Sequence, residues 1–536
     1  MPDNRRDAPR PRLHSKPPIW AESRQEVCES FDWFRNYHGG VYYTGGVVKG
    51  YLLSAFSSSR DVFAHNGRLI ISHGGGRAKS LRRKDGTSQV QEADDQQAQD
   101  KSVRALLNTH RIGRPIALMV DDKYSLFPYD LATDRYTYVV LGFYRIAHAW
   151  AERQPENNVR GYVVRYKFAF QWCEEQGTPW WMTAHDSGQG DVHCCSENDL
   201  VAFTCRFCRK QSPMIYVQDW ICLSPECKAF WRTSQGDHPP AHLHYSAQFL
   251  QLLHFAPERI EQLRPPLPTS CTICKGWHCI KCGRLSSRYM WERWSCRYCG
   301  ETHAVPGRIR EPNEFWDQVT PKLRTHWVAP DSGIVIAQTR FFKTGNSFSM
   351  VYTYLLPHSR GRIYLIIGSG GINADADAIF REYQEQAANG KLLFRRSPLR
   401  AVCRGTLLTK YFSQNCGESY QVRGVTQAHD HLAYRAQYVG GTDSTITWER
   451  APSAVCRARD LINQRVKEAL NTEYGFNEVL SAAYMEKQSM GGDVLIMEGA
   501  GVQTYYEHTV IPMDFRIAAT ARYIDNSGQV VNSASL

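Results

Sequence analysis

The chain has 536 residues, 42% of them apolar and 12% aromatic, which is too long for one core and globular rather than fibrous in composition. Lysine and arginine number 64 against 53 acidic residues, and the resulting formal charge of +11 favours an acidic partner such as nucleic acid. No run of about eighteen apolar residues occurs and no apolar signal core opens the chain, so a helical membrane span is excluded and an intracellular, nuclear location is expected.

Residues 1–24 are rich in proline and arginine and are expected to form a disordered basic tail. Residues 25–175 follow as a first globular domain. Its landmarks are HGGVYYTGGVVKGYLLS, NGRLIISHGGGR, QDKSVRALLN and the pair YVVLGFYRIAHAWAE and GYVVRYKFAFQ. Runs that are alternating, β-branched and aromatic, punctuated by glycine, predict a β-rich barrel. Their order and spacing resemble the SRA, or YDG, domain, a PUA-like barrel that flips a modified cytosine out of duplex DNA. In that family a strand-Gly-Gly-Arg segment lines the base pocket, an acidic residue upstream reads the base edge, and a basic finger fills the vacated stack. The resemblance implies Ser72 on the pocket wall, Asp61 as the reader, and Arg82, Arg83 and Lys84 in the finger. Flipping costs a few kcal/mol of unstacking, so a pocket and a plug are both needed. The competing reading is a PUA-like interaction domain whose charged loop is merely solvated.

Residues 190–305 are cysteine-rich: ten of the seventeen cysteines fall between Cys205 and Cys299, mostly as Cys-x-x-Cys pairs. In a chain without a signal sequence this spacing means metal rather than disulfides. Cys205, Cys208, Cys222 and Cys227 form one four-cysteine set, and Cys279, Cys282, Cys296 and Cys299 form a second with the spacing of a zinc ribbon. Tetrahedral thiolates suit Zn(II), and four sulfurs leave no open position for chemistry. Cys271 and Cys274, with His278 and His303 nearby, are left open. Trp180, Trp181, Trp220, Phe230, Trp231, Trp277, Tyr289, Trp291 and Trp294 crowd this region. They complete small cores or, interleaved with Arg284, Arg288, Arg293 and Arg297, stack on bases.

Residues 311–524 form a third domain, and 525–536 a flexible tail. It opens with strand-like VIAQTRFFK, FSMVYTYLL and GRIYLIIGS. A helix is predicted over Asn373–Gly390, capped by asparagine and stopped by glycine, and another over Ala458–Tyr474. The loop Gly368–Gly371 lacks the Lys-Ser/Thr of a phosphate-binding loop. Near the end, a Gly492-Asp493 turn into an apolar strand, a Tyr-Tyr-Glu-His run ending at His508, and Arg516 and Arg522 six apart on one strand face resemble the last part of the AlkB-like 2-oxoglutarate and Fe(II)-dependent dioxygenases. Their core is a double-stranded β-helix, or jelly roll. The resemblance implies His508 as an iron ligand, Arg516 as the clamp on the 2-oxoglutarate carboxylate, Arg522 near the iron-facing end, and Tyr484 reaching the cosubstrate. These types suit the chemistry: non-haem Fe(II) takes two histidines and a carboxylate on one face, and a guanidinium donates two parallel hydrogen bonds to a carboxylate.

One departure is serious. The family supplies its first two iron ligands as His-x-Asp, and none stands between Tyr484 and His508. His429-Asp430-His431 lies before the Tyr484 strand and is a poor substitute. Val422–Gln437 interrupts an otherwise continuous stretch and is compatible with splice signals at its ends, so an included intron there and an omitted segment at Met490/Gly491 would explain the gap. The fold class expected is thus multidomain and mainly β: an SRA-like barrel, zinc ribbon modules and an incomplete jelly roll. Two functions follow. One is an AlkB-type dioxygenase acting on methyl or N-alkyl bases, with Fe(II), 2-oxoglutarate and Zn(II). The other is a catalytically inactive, zinc-containing nucleic-acid or chromatin binder, with DNA favoured over RNA and no membrane partner.

Overall fold

A computed structural model describes residues 10–523 apart from 83–87, 184–193, 257–275, 315–327, 400–406, 419–444, 485–493, 499–515 and gaps of one to four residues elsewhere. The chain divides into two units. One holds Met1–Leu267, Gly276–Ser287 and Cys296–Cys299; the other holds Pro268–Lys275, Arg288–Ser295 and Gly300–Leu536.

The first unit is built on strands β1 (Trp20–Ala21), β2 (Val41–Thr44), β3 (Val47–Leu53), β4 (Val62–Ala64), β5 (Leu69–His73), β8 (Ile116–Asp121), β9 (Tyr138–Pro155) and β10 (Tyr162–Trp172), with the hairpin β6 (Ala78–Arg82) and β7 (Ser88–Glu92) standing apart. Their order is β2-β3-β8-β9-β10-β5-β4, with β1 added to β9. All pairs are antiparallel except β3 with β8. A parallel pair needs a crossover, and helix α2 (Lys101–Ile112) lies within the segment joining β3 to β8. It stops at Gly113, whose φ of +72° gives a left-handed cap that a side chain would resist.

Both faces of this sheet are covered, which explains why its strands read as continuous apolar runs. Along β8, Ile116, Leu118 and Val120 enter one core, while Ala117 and Met119 enter a second with Val27 and Phe31. Val27 belongs to α1 (Arg24–Ser30), whose N-terminus is a capping box: Ser23 Oγ accepts from Glu26 N at 3.2 Å and Glu26 Oε2 accepts from Ser23 N at 3.0 Å. The expected barrel is not closed among the described residues. Its edge strands β2 and β4 have only four and three residues and do not pair, too little ladder to join the sheet's ends.

In the second unit, β11 (Val335–Thr344), β12 (Ser347–Leu355), β13 (Arg362–Gly368) and β16 (Val494–Glu498) form one antiparallel sheet. A second sheet contains β14 (Phe412–Gly417), β15 (Glu478–Tyr484) and β17 (Arg516–Arg522), with β15 in the middle. Helix α3 is Ala374–Ala388, within the predicted bounds; Asn373 makes no side-chain capping bond among the described residues, and Gly390, with φ +76°, follows its end. Helix α4 is Ser453–Leu470, five residues earlier than the apolar spacing suggests, because Pro452 can precede a helix start and Asn471 adopts the left-handed stop. The described residues show these two sheets without the further strands that a jelly roll needs. In such a fold the sheets fill each other's core, whereas here α4 serves both: Val455 and Ala458 pack with Phe412 and Val479, and Val466 and Ala469 with Val351 and Ile366. Among the described residues no helix is long and apolar enough to cross a membrane.

Candidate nucleic-acid interface and metal centres

The two residues named for the base pocket, Asp61 and Ser72, belong to one hydrogen-bonded cluster inside the first unit. Strand pairing sets Lys167 of β10 opposite His73 of β5. Lys167 is fully buried, and its ammonium donates to Asp61 Oδ1 and to Ser58 Oγ at 2.8 Å, with Glu152 Oε1 at 4.0 Å. Asp61 Oδ2 accepts from Ser58 N at 2.9 Å and lies 3.8 Å from His73 Nδ1. Burial works against ionisation of Asp61, but the Lys167 ammonium and His73 outweigh it and hold the carboxyl at about 2. Tyr51 links the set to the pocket wall, donating to the His73 carbonyl and standing 3.4 Å from Ser72 Oγ.

Asp61 is held in place from behind. Arg60 has φ +62°, a left-handed conformation that is uncommon outside glycine. Its guanidinium donates to Glu152 Oε1 at 3.1 Å and to the Arg153 carbonyl at 2.8 Å, and its own carbonyl accepts from Tyr245 at 3.0 Å. Glu152 also accepts from Tyr216 at 2.6 Å and Gln154 at 2.8 Å. Tyr216 and Tyr245 come from the cysteine-rich region, so that region buttresses the Asp61 loop. Among the described residues the buried hydroxyl of Tyr124 has no hydrogen-bond partner, and His73 Nδ1 has only its 3.8 Å approach to Asp61. Burial, with Asp61 and Tyr51 close by, raises the Tyr124 hydroxyl well above its ordinary range. Sequence reasoning missed Lys167, Glu152, Arg60 and Tyr124. The signal for Lys167 was visible, since a buried strand run such as GYVVRYKFAFQ has no other use for a lysine. Arg83 and Lys84 of the expected finger lie outside the described residues, and Arg82 ends β6.

Both cysteine sets converge. In each, the four ligand atoms lie within 4.8 Å of one another. Cys205 and Cys227 sulfurs are 3.8 Å apart, Cys208 and Cys222 4.0 Å, and the pairs Cys279–Cys299 and Cys282–Cys296 3.5 Å each. Zinc–sulfur bonds of ~2.3 Å at tetrahedral angles place sulfurs ~3.8 Å apart, so both sets fit Zn(II) and are far too open for disulfides. Gly283 follows Cys282 with φ +77°, and a Cβ there would stand 2.7 Å from the carbonyls of Pro17 and Pro18. Most of the region's aromatics are core: Trp181, Trp220, Phe230, Trp231, Trp277 and Trp294 are buried. Arg284 is buried as well and donates to Glu22 and Glu26, which removes it as a phosphate contact. Cys271 and Cys274 lie outside the described residues.

On the second unit's three-stranded sheet, Tyr484 stands opposite Arg516 and Glu478 opposite Arg522. The Arg516 guanidinium carbon is 5.6 Å from the Tyr484 ring centroid, and its buried Nε and Nη1 have no hydrogen-bond partner among the described residues. Arg522 Nε is 3.9 Å from Glu478, too long for a hydrogen bond, and both Glu478 oxygens are buried without one. Burial pushes Glu478 up to about 7 against the pull of Arg522. His508, the expected iron ligand, lies outside the described residues, as do His429, His431 and the Met490/Gly491 junction.

No protein-family model matches the chain, and no curated protein matches it. Solved structures of the SUVH5 SRA domain do align with it. One, with methylated CHH DNA, shares 18% identity over 31% of this chain and 93% of that one, at a TM-score of 0.20. A second, with fully methylated CG DNA, shares 19% over the same fractions at 0.20. A third, with fully hydroxymethylated CG DNA, shares 20% over 26% and 75% at 0.18. Scores this low leave the functional reading to the residues themselves.

Proposed function

We propose that this chain is a zinc-containing nucleic-acid-binding protein whose first unit takes a modified cytosine from duplex DNA, and that it works as a binder. The observation that carries this reading is the Tyr124 hydroxyl, buried close to Asp61 with no hydrogen-bond partner among the described residues. A buried polar group without a partner costs about 1–3 kcal/mol, which a hydrogen bond from a bound ligand would recover. A flipped base is read through the hydrogen bonds of its Watson–Crick edge. A carboxylate, a phenol and an imidazole can between them accept from an exocyclic amine and donate to a ring nitrogen or carbonyl. The formal charge of +11 supplies attraction to phosphates, and the order of strands and glycines between residues 39 and 171 resembles the SRA domain. The two zinc sites are structural in this reading.

The test is fluorescence anisotropy with duplexes that differ only in 5-methylation of one cytosine. The intact protein is expected to prefer the methylated duplex. Tyr124→Phe removes a hydroxyl with no partner in the fold, so stability should hold or rise while the preference falls about tenfold, one hydrogen bond's worth. Equal binding of both duplexes by the intact protein would overturn the proposal.

A second reading is favoured by one observation, the buried and unpartnered Arg516 beside Tyr484. Those donors fit the carboxylate of 2-oxoglutarate, which in an oxygenase supplies two electrons to oxygen as it becomes succinate. Iron is another matter. The sequence offers His508 without His-x-Asp, so Arg516 and Tyr484 are assigned carboxylate binding and no oxidation step.

A further inference from the structure

The aromatics that sequence reasoning offered as base-stacking groups are mostly buried, but the first zinc module exposes others. Phe203 lies on the strand Ala202–Thr204 and Phe207 in the turn between Cys205 and Cys208; each is 45% exposed. The module's own core does not use Phe207: it consists of Trp220, Ala229 and the four cysteines. Phe203 rests at its margin, 6.3 Å from the Trp220 ring centroid. Cations gather around the exposed turn. The guanidinium of Arg206 and the ammonium of Lys228 stand 4.9 and 4.8 Å from the Phe207 ring centroid. Arg209 holds φ +58° where the chain leaves the knuckle, and neither Arg206 nor Arg209 meets a carboxylate among the described residues. Lys210 makes rim contacts, 3.7 Å from the highly exposed Glu226 and 3.4 Å from Ser224 Oγ, to which it donates.

We propose that this knuckle is a second nucleic-acid contact, a platform for unpaired bases. An exposed aromatic flanked by cations pairs a stacking surface with phosphate neutralisation, the combination by which single strands are held without sequence preference. The occupant is single-stranded because a base offers its face to a side chain only where it is unstacked. Base readout in the first unit asks for a duplex carrying a modified cytosine; this surface asks for neither duplex nor modification.

The experiment uses the full zinc-loaded chain and a fluorescent oligothymidylate, followed by anisotropy across a salt series. Phe207→Ala should weaken binding about tenfold, Phe207→Trp should restore it, and Arg209→Glu should make the salt dependence shallower by about one phosphate contact. Retention of two zinc equivalents by each variant shows that the module still folds. Affinity for a methylated duplex should not change, which separates failure of this proposal from failure of the base-reading one. Absence of oligothymidylate binding by the intact protein would overturn the platform, as would wild-type affinity in Phe207→Ala. Capture of a protein partner through Phe207 without oligonucleotide binding would overturn it equally.

Discussion

At the scale of single residues, the molecule's most informative feature is charge placed where burial penalises it. Lys167, Asp61, Glu152 and Arg60 solve the problem by pairing, and removing any one would leave an uncompensated buried charge. Arg516 does not solve it among the described residues: burial lowers its affinity for the proton and two of its nitrogens find no acceptor there. Arg516→Met should therefore raise the stability of the second unit by about 1–3 kcal/mol. If the carboxylate reading holds, the same variant loses the 2-oxoglutarate binding that titration calorimetry detects in the intact protein. A variant less stable than the parent would show that Arg516 has a structural partner. The sequence marked Arg516, Tyr484, Asp61 and Ser72 because residue type and spacing survive in a linear reading. It did not mark Tyr124, since an unpaired hydroxyl is defined only by what fails to surround it.

At the scale of elements, pairing β15 between β14 and β17 puts Val479 and Ala483 into the core and Glu478 and Tyr484 on the opposite face with Arg516 and Arg522. Glu478 pays for that position through its proton affinity, raised from 4.5 to about 7. An acid whose folded value lies above its unfolded one favours the folded state while protonated. The contribution of Glu478 to the second unit's stability should therefore be fully present below pH ~4.5 and be lost as pH rises through ~7, by at most about 3 kcal/mol. Denaturant midpoints measured across this range should show the slope, and Glu478→Gln should flatten it. An unchanged slope in that variant would place the titration elsewhere. Strand and helix positions were largely legible, because period-two and period-3.6 patterns follow from backbone geometry alone. The start of α4 was not, because Pro452 and Asn471 outweigh the apolar spacing.

At the scale of the whole molecule, the first cysteine set and the Asp61 cluster belong to one unit, joined by Tyr216 to Glu152 and Tyr245 to Arg60. Zinc content should be two equivalents per chain. Cys208→Ser should release one and, because those tyrosines position the Asp61 loop, weaken binding of the methylated duplex as well. Affinity that survives loss of the first zinc would uncouple the two. What the sequence determined by itself was local: cysteine spacing that fits two zinc tetrads, alternation that makes strands, and charge that favours an acidic partner. Only the tertiary structure decided which tryptophans are core and which phenylalanines are surface, that the sheet's short edges leave it open, and that Lys167 pairs with Asp61. Those outcomes depend on what lies opposite each side chain across the fold, and sequence order does not carry that information.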